Sequence, residues 1–435
     1  MKFGGTSVGS AERIRAVAKI IKAALSRKPV VIVSAMAGVT NSILEIANEK
    51  SRSTRLEMVE ALEKAHRTVL SDLELAPSLL DKEFKELIVL AKKKLLLNAK
   101  RLDHFVSFGE RLSAPIVAEQ LQKIGVQAKS FPSWEVGMIT NSNFSNAEPL
   151  PTSSALIRKK ISFLAGVPVI TGFIGHTKTG DIITLGRGGS DYSAAIFGAA
   201  LSAEAIQIWK EVDGIMTTDP RIISEAKVVP ELAFEEACEL AYFGAKVLHP
   251  KTILPAMEKG VPVQVLNTFN PSGKGTTIVS SFAERRNTSH TVEALTFKKG
   301  VTAVHVRSPA FFDGTGLMAN IFETFEKYGI SIDVISTSVA SVSLTIDKID
   351  HLDDLVRDLE KFGQVEVERG KAIVCAVGGS VNAAGVAGRM FTVLGENKIP
   401  VEMISQAAFG ISITFVVSEE DAVRALQVLH KEYIG

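Results

Sequence analysis

The sequence predicts an α/β protein, a mostly parallel sheet with helices on both faces, followed by two copies of one smaller strand–helix domain. Three observations carry this prediction. Over residues 1–270, short apolar, β-branched runs alternate with longer stretches of helical period, the pattern of a sheet covered on both faces. Residues 270–287 are rich in Pro, Gly, Ser and charge and read as a linker. Beyond it the chain repeats itself: GLMANIF at Gly316 resembles GVAGRMF at Gly385, ISIDVIS at Ile330 resembles IPVEMIS at Ile399, and SLT at Ser343 resembles SIT at Ser412. The offset stays at 69 (385 − 316, 399 − 330, 412 − 343) without a gap, which marks a duplicated domain.

Composition narrows the functional class. At 435 residues the chain exceeds one typical core. Lys+Arg 49 against Asp+Glu 48 leaves a net charge of +1, which argues against a nucleic-acid surface or a polybasic membrane anchor. Cys238 and Cys375 lie far apart in apolar settings, as small buried hydrophobes of a reducing compartment rather than a disulfide or metal framework. No apolar run is long enough to span a membrane, and the N-terminus lacks a signal peptide's apolar core. A soluble, cytoplasmic protein is expected.

Taken in order, Lys2 and Phe3 close a strand that is either very short or entered from residues ahead of Met1. Gly4-Gly5 is a turn that lets backbone approach a phosphate, and Thr6-Ser7 are placed to cap the helix of Ile14, Val17, Ile20 and Ile21. Residues 29–37 (PVVIVSAMA) read as a buried strand ending in the turn Gly38-Val39-Thr40-Asn41. Residues 43–121 are helical, broken at SFGERLS (107–113), where another helix opens. Strands are expected at 126–131, 167–173, 181–185, 203–209 and 261–266, and a helix at 234–248. Ligands of such sheets bind beyond the strands' C-terminal ends, and every special turn above sits there.

The stretch with the most chemistry is ITLGRGGSDYSAA (183–195): a strand end, a glycine turn carrying Arg187, then a helix opening at Ser190-Asp191. A helix start offers free N–H groups to an anion, and a guanidinium fits carboxylate or phosphate oxygens. The plain alternative makes Ser190 or Asp191 only an N-cap.

Six motifs in order, KFGGTSV from Lys2, SAMAGVTN from Ser34, SFGERLS from Ser107, TLGRGGSDYSA from Thr184, VDGIMTTDPR from Val212 and FGAKVLHP from Phe243, closely resemble the aspartokinases of the amino-acid kinase family. The paired repeat resembles two ACT domains, ferredoxin-like βαββαβ sensors of amino acids. The resemblance implies a catalytic domain over 1–270, a linker over 271–290 and ACT domains over 291–370 and 371–435. It also implies a stand-alone enzyme rather than one fused to homoserine dehydrogenase. The implied reaction moves the ATP γ-phosphate to the side-chain carboxylate of L-aspartate, the first step toward lysine (with diaminopimelate), threonine and methionine. A carboxylate nucleophile is already ionised near neutral pH, so catalysis reduces to positioning two anions and neutralising charge, with Mg²⁺ as companion of ATP.

By resemblance, Lys2 meets the phosphates and stabilises the transition state, with Gly4 and Gly5 beside it. Arg187 clamps the α-carboxylate of aspartate and Glu110 pairs with its α-ammonium, one charge of each sign for a zwitterion. Ser34, Thr40, Phe173, Gly188, Gly189 and Ser190 complete the substrate site, and Asp191 orients Lys2 or a Mg²⁺-bound water. ATP is expected along Ser190, Lys210, Glu211, Met216, Thr217, Thr218, Asp219, Arg221 and the second phosphate lysine, Lys246. No metal ligands are assigned. Met216 stands where the family often has an aromatic residue. In the first ACT domain Phe312, Asp313, Gly314, Gly316, Leu317, Ile332, Asp333 and Ser338 are expected to hold an amino-acid effector, lysine first and threonine as the alternative, with Asp333 on its ammonium. The matching Glu402 and Ala384-Gly385 suggest that the second copy mainly pairs. The expected partners are small molecules and a second copy of the chain in a homodimer through the ACT domains. The rival readings are another amino-acid kinase, against which GRGGSD and the ACT pair count, and a sensor with an inactive kinase fold, against which Lys2, Arg187, Asp191 and Lys246 count. A nicotinamide dehydrogenase is opposed by the lack of a suitable G-x-G-x-x-G.

Overall fold

The computed structural model describes residues 1–93, 98–244, 248–281, 291–309, 316–347, 349–406 and 410–435. The chain forms two compact units: residues 1–215, 230–234 and 247–284, and residues 216–229, 235–246 and 285–435. Strands in the first unit are β1 (Lys2–Phe3), β2 (Val31–Val33), β3 (Ala128–Phe131), β4 (Ile139–Thr140), β5 (Val167–Thr171), β6 (Ile174–Thr177), β7 (Ile182–Thr184), β8 (Ile206–Lys210), β9 (Glu231–Ala233), β10 (Val263–Asn267) and β11 (Thr276–Val279). The helices up to residue 258 are α1 (Ala11–Ala23), α2 (Val39–Asn48), α3 (Arg52–Asp72), α4 (Asp81–Lys92), α5 (Ala99–Val106), α6 (Phe108–Lys123), α7 (Pro151–Ser162), α8 (Gly189–Leu201), α9 (Phe234–Tyr242) and α10 (Pro250–Glu258).

The main sheet runs β3-β5-β2-β1-β8-β10-β11-β9 and is parallel except where β10 meets β11. Its central strands are buried on both faces, as the β-branched runs require. Phe3 stacks on Trp209 with ring centroids 5.9 Å apart, which pins β1 to β8 despite the shortness of β1. A smaller sheet, β4-β6-β7, stands beside it.

Four local readings change. The cap of α1 is Ser10, whose Oγ accepts from Arg13 N, because Thr6–Val8 form a 3₁₀ turn instead of opening the helix. The helical run over 43–121 breaks at Ser107 as expected, where α5 meets α6, but its earlier part is also divided, into α2, α3 and α4. The run read as one strand over 167–173 ends at Thr171, since Phe173 turns to φ +65°. Part of the expected linker is β11, which closes the sheet against β9 and β10; residues 282–290 lie outside the described residues.

In the second unit, β12 (Ala294–Arg307), β13 (Ile335–Thr337), β14 (Ser341–Ile346), β15 (Gln364–Val377), β16 (Met403–Gln406) and β17 (Ser412–Ser418) form one antiparallel sheet in the order β13-β14-β12-β15-β17-β16. It carries α11 (Leu317–Lys327), α12 (Leu352–Leu359), α13 (Val386–Glu396) and α14 (Ala422–Tyr433). The two repeats share their long strands. Residues 301–307 of β12 and 364–368 of β15 serve the first copy, while 294–298 and 371–377 serve the second. The changeover falls at Gly300 (φ +71°) and Gly370 (φ +70°), left-handed positions that suit glycine. Each copy is thus a βαββαβ unit of four strands, and in the second copy the fourth strand, from β12, precedes the rest in the chain. Segment 216–229 packs Ile222 and Ile223 against the second copy's core. Cys238 and Cys375 are free thiols. Among the described residues no helix is long and apolar enough to cross a membrane.

Candidate active site

A cavity of about 650 Å³ opens where β1, β2, β5 and β7 end, wholly within the first unit. The structure gathers there Lys2, Gly5, Ser34, Thr40, Glu110, Phe173, Arg187, Gly188, Gly189, Ser190 and Asp191 of the residues named from sequence. The turns fit closely: a Cβ on Gly5 would lie 2.7 Å from Ala35 O, and one on Gly189 2.5 Å from the Phe173 ring. Both glycines are therefore required by packing. The Phe173 backbone is held in its left-handed conformation by Ser193 Oγ, which accepts from its N–H at 3.0 Å, and by Leu185 N, which donates to its carbonyl at 2.8 Å.

Two helices start at the rim. α2 begins at Gly38 (φ +81°) and α8 at Gly188 (φ +71°), and neither has a side-chain cap. Val39 N and Gly189 N donate to Met36 O and Gly186 O, and the N–H groups that follow them in each first turn stay open to an anion. The N-cap alternative for Ser190 and Asp191 is therefore corrected: Gly188 occupies that position, and Asp191 has a different task.

Asp191 bridges two lysines. Lys2 Nζ lies 2.6 Å from Oδ1 and Lys210 Nζ 3.1 Å from Oδ2. Burial pushes the Asp191 carboxyl up, but the two ammonium groups overcome this and hold it below the ordinary carboxylate range. Lys2 itself is buried. The result is a fixed cation at the end of β1, beside glycine backbone. Gly4 does not line the cavity; it lies two residues after Lys2, its N–H bonded to Trp209 O.

Glu110 sits in the first turn of α6, 3 % exposed. Ala35 N donates to its Oε1 at 3.0 Å, while Oε2 is buried with no hydrogen-bond partner. Burial raises its pKa from 4.5 to about 8, only partly offset by hydrogen bonds and by Lys2. A buried oxygen without a donor is costly, and Oε2 is left able to take a partner from outside the chain. Arg187 stands exposed at the rim without an ion pair among the described residues. Buried carboxylate and open guanidinium in one cavity suit a zwitterion.

Other expected residues lie elsewhere. Glu211 is exposed and does not line the cavity. Met216, Thr217, Thr218, Asp219 and Arg221 belong to the second unit. There Thr217 pairs its hydroxyl with His430 Nε2 at 3.0 Å and accepts from Leu295 N, while Arg221 forks onto Asp219. Lys246 lies outside the described residues, as do Phe312, Asp313 and Gly314. Gly316 (φ +104°) starts α11 and Leu317 is buried against the first repeat's core, as Ile332 partly is. Ser338 N donates to Ser341 O in a tight turn. Asp333 is not the open acid expected: Lys298 Nζ lies 2.9 Å from both its oxygens and Tyr242 Oη donates to Oδ1 at 2.8 Å. Lys298 also pairs with Asp347 at 3.0 Å.

Sequence reasoning missed two neighbours of the expected residues. One is Lys298, brought to Asp333 by the strand sharing between repeats. The other is Asp103, buried in the cavity wall. An acid on the apolar face of a helix two turns before Glu110 was the signal available for it.

Comparison with known proteins matches residues 1–267 to the amino acid kinase family and residues 374–433 to the ACT domain. Aspartokinase 1, chloroplastic, from Arabidopsis thaliana is 38 % identical over all of this chain and 79 % of its own length. The crystal structure of E. coli aspartokinase III in complex with aspartate and ADP (R-state) superposes with a TM-score of 0.82 at 34 % identity, over 100 % of this chain and 99 % of that one. The same enzyme in complex with lysine and aspartate (T-state) gives 0.81 at 34 % identity with the same coverage.

Proposed function

The chain belongs to the amino acid kinase family and, within it, to the aspartokinases, ATP-dependent aspartate kinases; from that premise we propose how its cavity handles the substrate and how it is regulated. The observation that carries the reading is the meeting, in one cavity, of open Arg187, the unpartnered Oε2 of Glu110 and the Lys2–Asp191 pair, backed by Lys210. Aspartate, the ligand named for the E. coli aspartokinase III structures, lies with its α-carboxylate on Arg187 and its α-ammonium on Glu110. Its side-chain carboxylate then faces Lys2. The open N-termini of α2 and α8 receive phosphate or carboxylate oxygens. Lys2 neutralises charge on the phosphoryl group in transfer, and Asp191 and Lys210 hold it in place. No proton need be removed, since the nucleophile is a carboxylate. Mg²⁺ enters with ATP, carried by its phosphates. The product, 4-phospho-L-aspartate, opens the route to lysine, diaminopimelate, threonine and methionine. We place it in the cytoplasm, where the free thiols of half-buried Cys238 and buried Cys375 stay reduced.

A coupled assay of ADP release with MgATP and L-aspartate tests this. Turnover that depends on aspartate and not on glutamate is expected; turnover on glutamate alone would return the second amino-acid kinase reading.

The effector is lysine in this reading, supported by the lysine complex of E. coli aspartokinase III; threonine is the alternative. The site is Asp333, and Lys298 occupies it as an internal ammonium. Lys298→Met should then lower the lysine concentration for half-inhibition by roughly tenfold, and Asp333→Asn should raise it as much. Activity titrated with lysine reads this directly, and identical curves for wild type and both variants would rule out the site.

A homodimer through the repeats is part of the proposal. β13 and β16 are the outer strands of the six-stranded sheet, with Ile335, Val339 and Ile404 exposed on or beside them, surfaces that favour pairing. Sedimentation should show a dimer that Ile335→Lys weakens; an unchanged dimer would move the interface elsewhere.

A further inference from the structure

The cavity wall holds a second buried carboxylate, Asp103 on α5, 1 % exposed. Its bonds differ in kind from those of Glu110. Oδ2 accepts from Ser145 N at 2.8 Å and Thr184 N at 2.9 Å; Oδ1 accepts from the hydroxyls of Ser145 and Thr184, each at 3.0 Å. Four donors fill the carboxylate's acceptor sites. Asp103 therefore has nothing left for a substrate ammonium, whereas Glu110 keeps Oε2 open.

What Asp103 joins is informative. Thr184 is the last residue of β7, three before Arg187. Ser145, at φ +67°, belongs to the loop against which the Arg187 turn leans: a Cβ on Gly186 would lie 2.9 Å from Asn146 Oδ1 and 3.0 Å from Ser145 O. Ala147 N donates to Thr184 O at 2.9 Å, closing the same seam. On its other side, Asp103 O accepts from Ser107 N at the junction where α6 opens toward Glu110. One buried residue, by its side chain on one side and its main chain on the other, thus ties the helix pair that carries Glu110 to the strand end that carries Arg187.

We propose that Asp103 is a positioning residue that sets the separation between the ammonium-binding Glu110 and the carboxylate-binding Arg187, and so selects for a short zwitterion. The inference rests on the aspartate site proposed above. Asp103 touches no reacting atom. It acts because a saturated, desolvated carboxylate is a stiff connector, and a shift of about 1 Å between binding groups is enough to cost up to 10²-fold.

Asp103→Asn keeps the shape but removes the charge and replaces the two acceptor sites of Oδ1 by N–H donors that face the hydroxyls of Ser145 and Thr184, which must turn from donor to acceptor. Thr184→Val is the milder variant, removing one hydroxyl bond and leaving the carboxylate. Both are compared with wild type in steady-state kinetics and in calorimetric binding of L-aspartate and of succinate, which keeps both carboxylates and lacks only the α-ammonium. Asp103→Asn should raise KM for aspartate by roughly 10–100-fold, with kcat within about threefold and KM for ATP unchanged. Thr184→Val should move KM for aspartate the same way by roughly threefold. Succinate affinity should change by less than about twofold in both, because a ligand without the ammonium does not sense the separation. Equal weakening of aspartate and succinate, or a joint fall of kcat and both affinities, would reduce Asp103 to a general scaffold role. An unchanged KM for aspartate would overturn the proposal outright. If Asp103→Asn does not fold, Thr184→Val decides by the same two-ligand comparison. Wild type that binds no aspartate would instead refute the site reading beneath it.

Discussion

Lys2→Met should lower kcat by roughly 10³-fold while leaving KM for aspartate within about threefold, an effect of the size seen when one group that stabilises transition-state charge is removed. The structure gives the reason. The Lys2 ammonium is buried, lies 2.6 Å from Asp191 and stands at the end of the central strand β1, next to the glycine turn. Its position is set before substrate arrives, so no reorganisation is needed during transfer. Methionine keeps the length and loses the charge. It also leaves Asp191 buried with Lys210 alone, so a fall in thermal stability should accompany the fall in rate. Lys2→Arg separates the two effects: it restores charge for Asp191 but not the compact ammonium, so stability should return more fully than kcat. Steady-state kinetics and thermal melts of both variants measure this. A Lys2→Met enzyme with wild-type kcat would remove Lys2 from the reaction.

Aspartate binding should strengthen with pH between 6 and 8, by up to about tenfold per unit, and level off above. Glu110 is the cause: burial raises its carboxyl to about 8, so in the free enzyme it is mostly neutral at pH 6. Pairing with the substrate ammonium requires the carboxylate, hence one proton leaves when aspartate binds. Calorimetry at pH 6 in buffers of different ionisation enthalpy should count that proton. Glu110→Gln should abolish the slope and weaken aspartate by roughly 10²-fold, the cost of losing a charged partner in a desolvated site. The sign for stability follows from the same shift. A carboxyl raised on folding contributes stability that is fully present below its unfolded value of 4.5 and is lost as pH rises through about 8. The ligand-free wild type should therefore lose stability relative to Glu110→Gln across that window. A pH-independent affinity for aspartate would take the ammonium away from Glu110.

The catalytic half was readable because its chemistry is local. Glycine turns at strand ends and cations beside them must be written next to one another, and Lys2, Gly5, Arg187 and Ser190 are. Positions that depend on distant partners were not. Asp103 lies in a stretch that reads simply as helix, and its role exists only once Ser145 and Thr184 close over it. Phe173 sits in a run that reads as strand, and its left-handed turn is set by Ser193 and Leu185. Ser10 outcompetes Thr6 as a cap because a 3₁₀ turn intervenes. The repeat was plain from its offset, but the crossing of β12 and β15 between copies was not. That crossing carries Lys298 to Asp333 and closes the acid expected to be open.

The most direct test of the zwitterion-binding cavity traps its product. Incubation of the enzyme with MgATP, L-aspartate and hydroxylamine converts an acyl phosphate into a hydroxamate whose position on the substrate can be read by mass spectrometry. The β-hydroxamate of aspartate should form with the wild type, and its yield should collapse with Arg187→Ala and with Glu110→Gln at fixed, subsaturating aspartate. Hydroxamate formed equally well by both variants would contradict the assignment of the two poles. Its absence from the wild type would contradict the phosphoryl transfer itself.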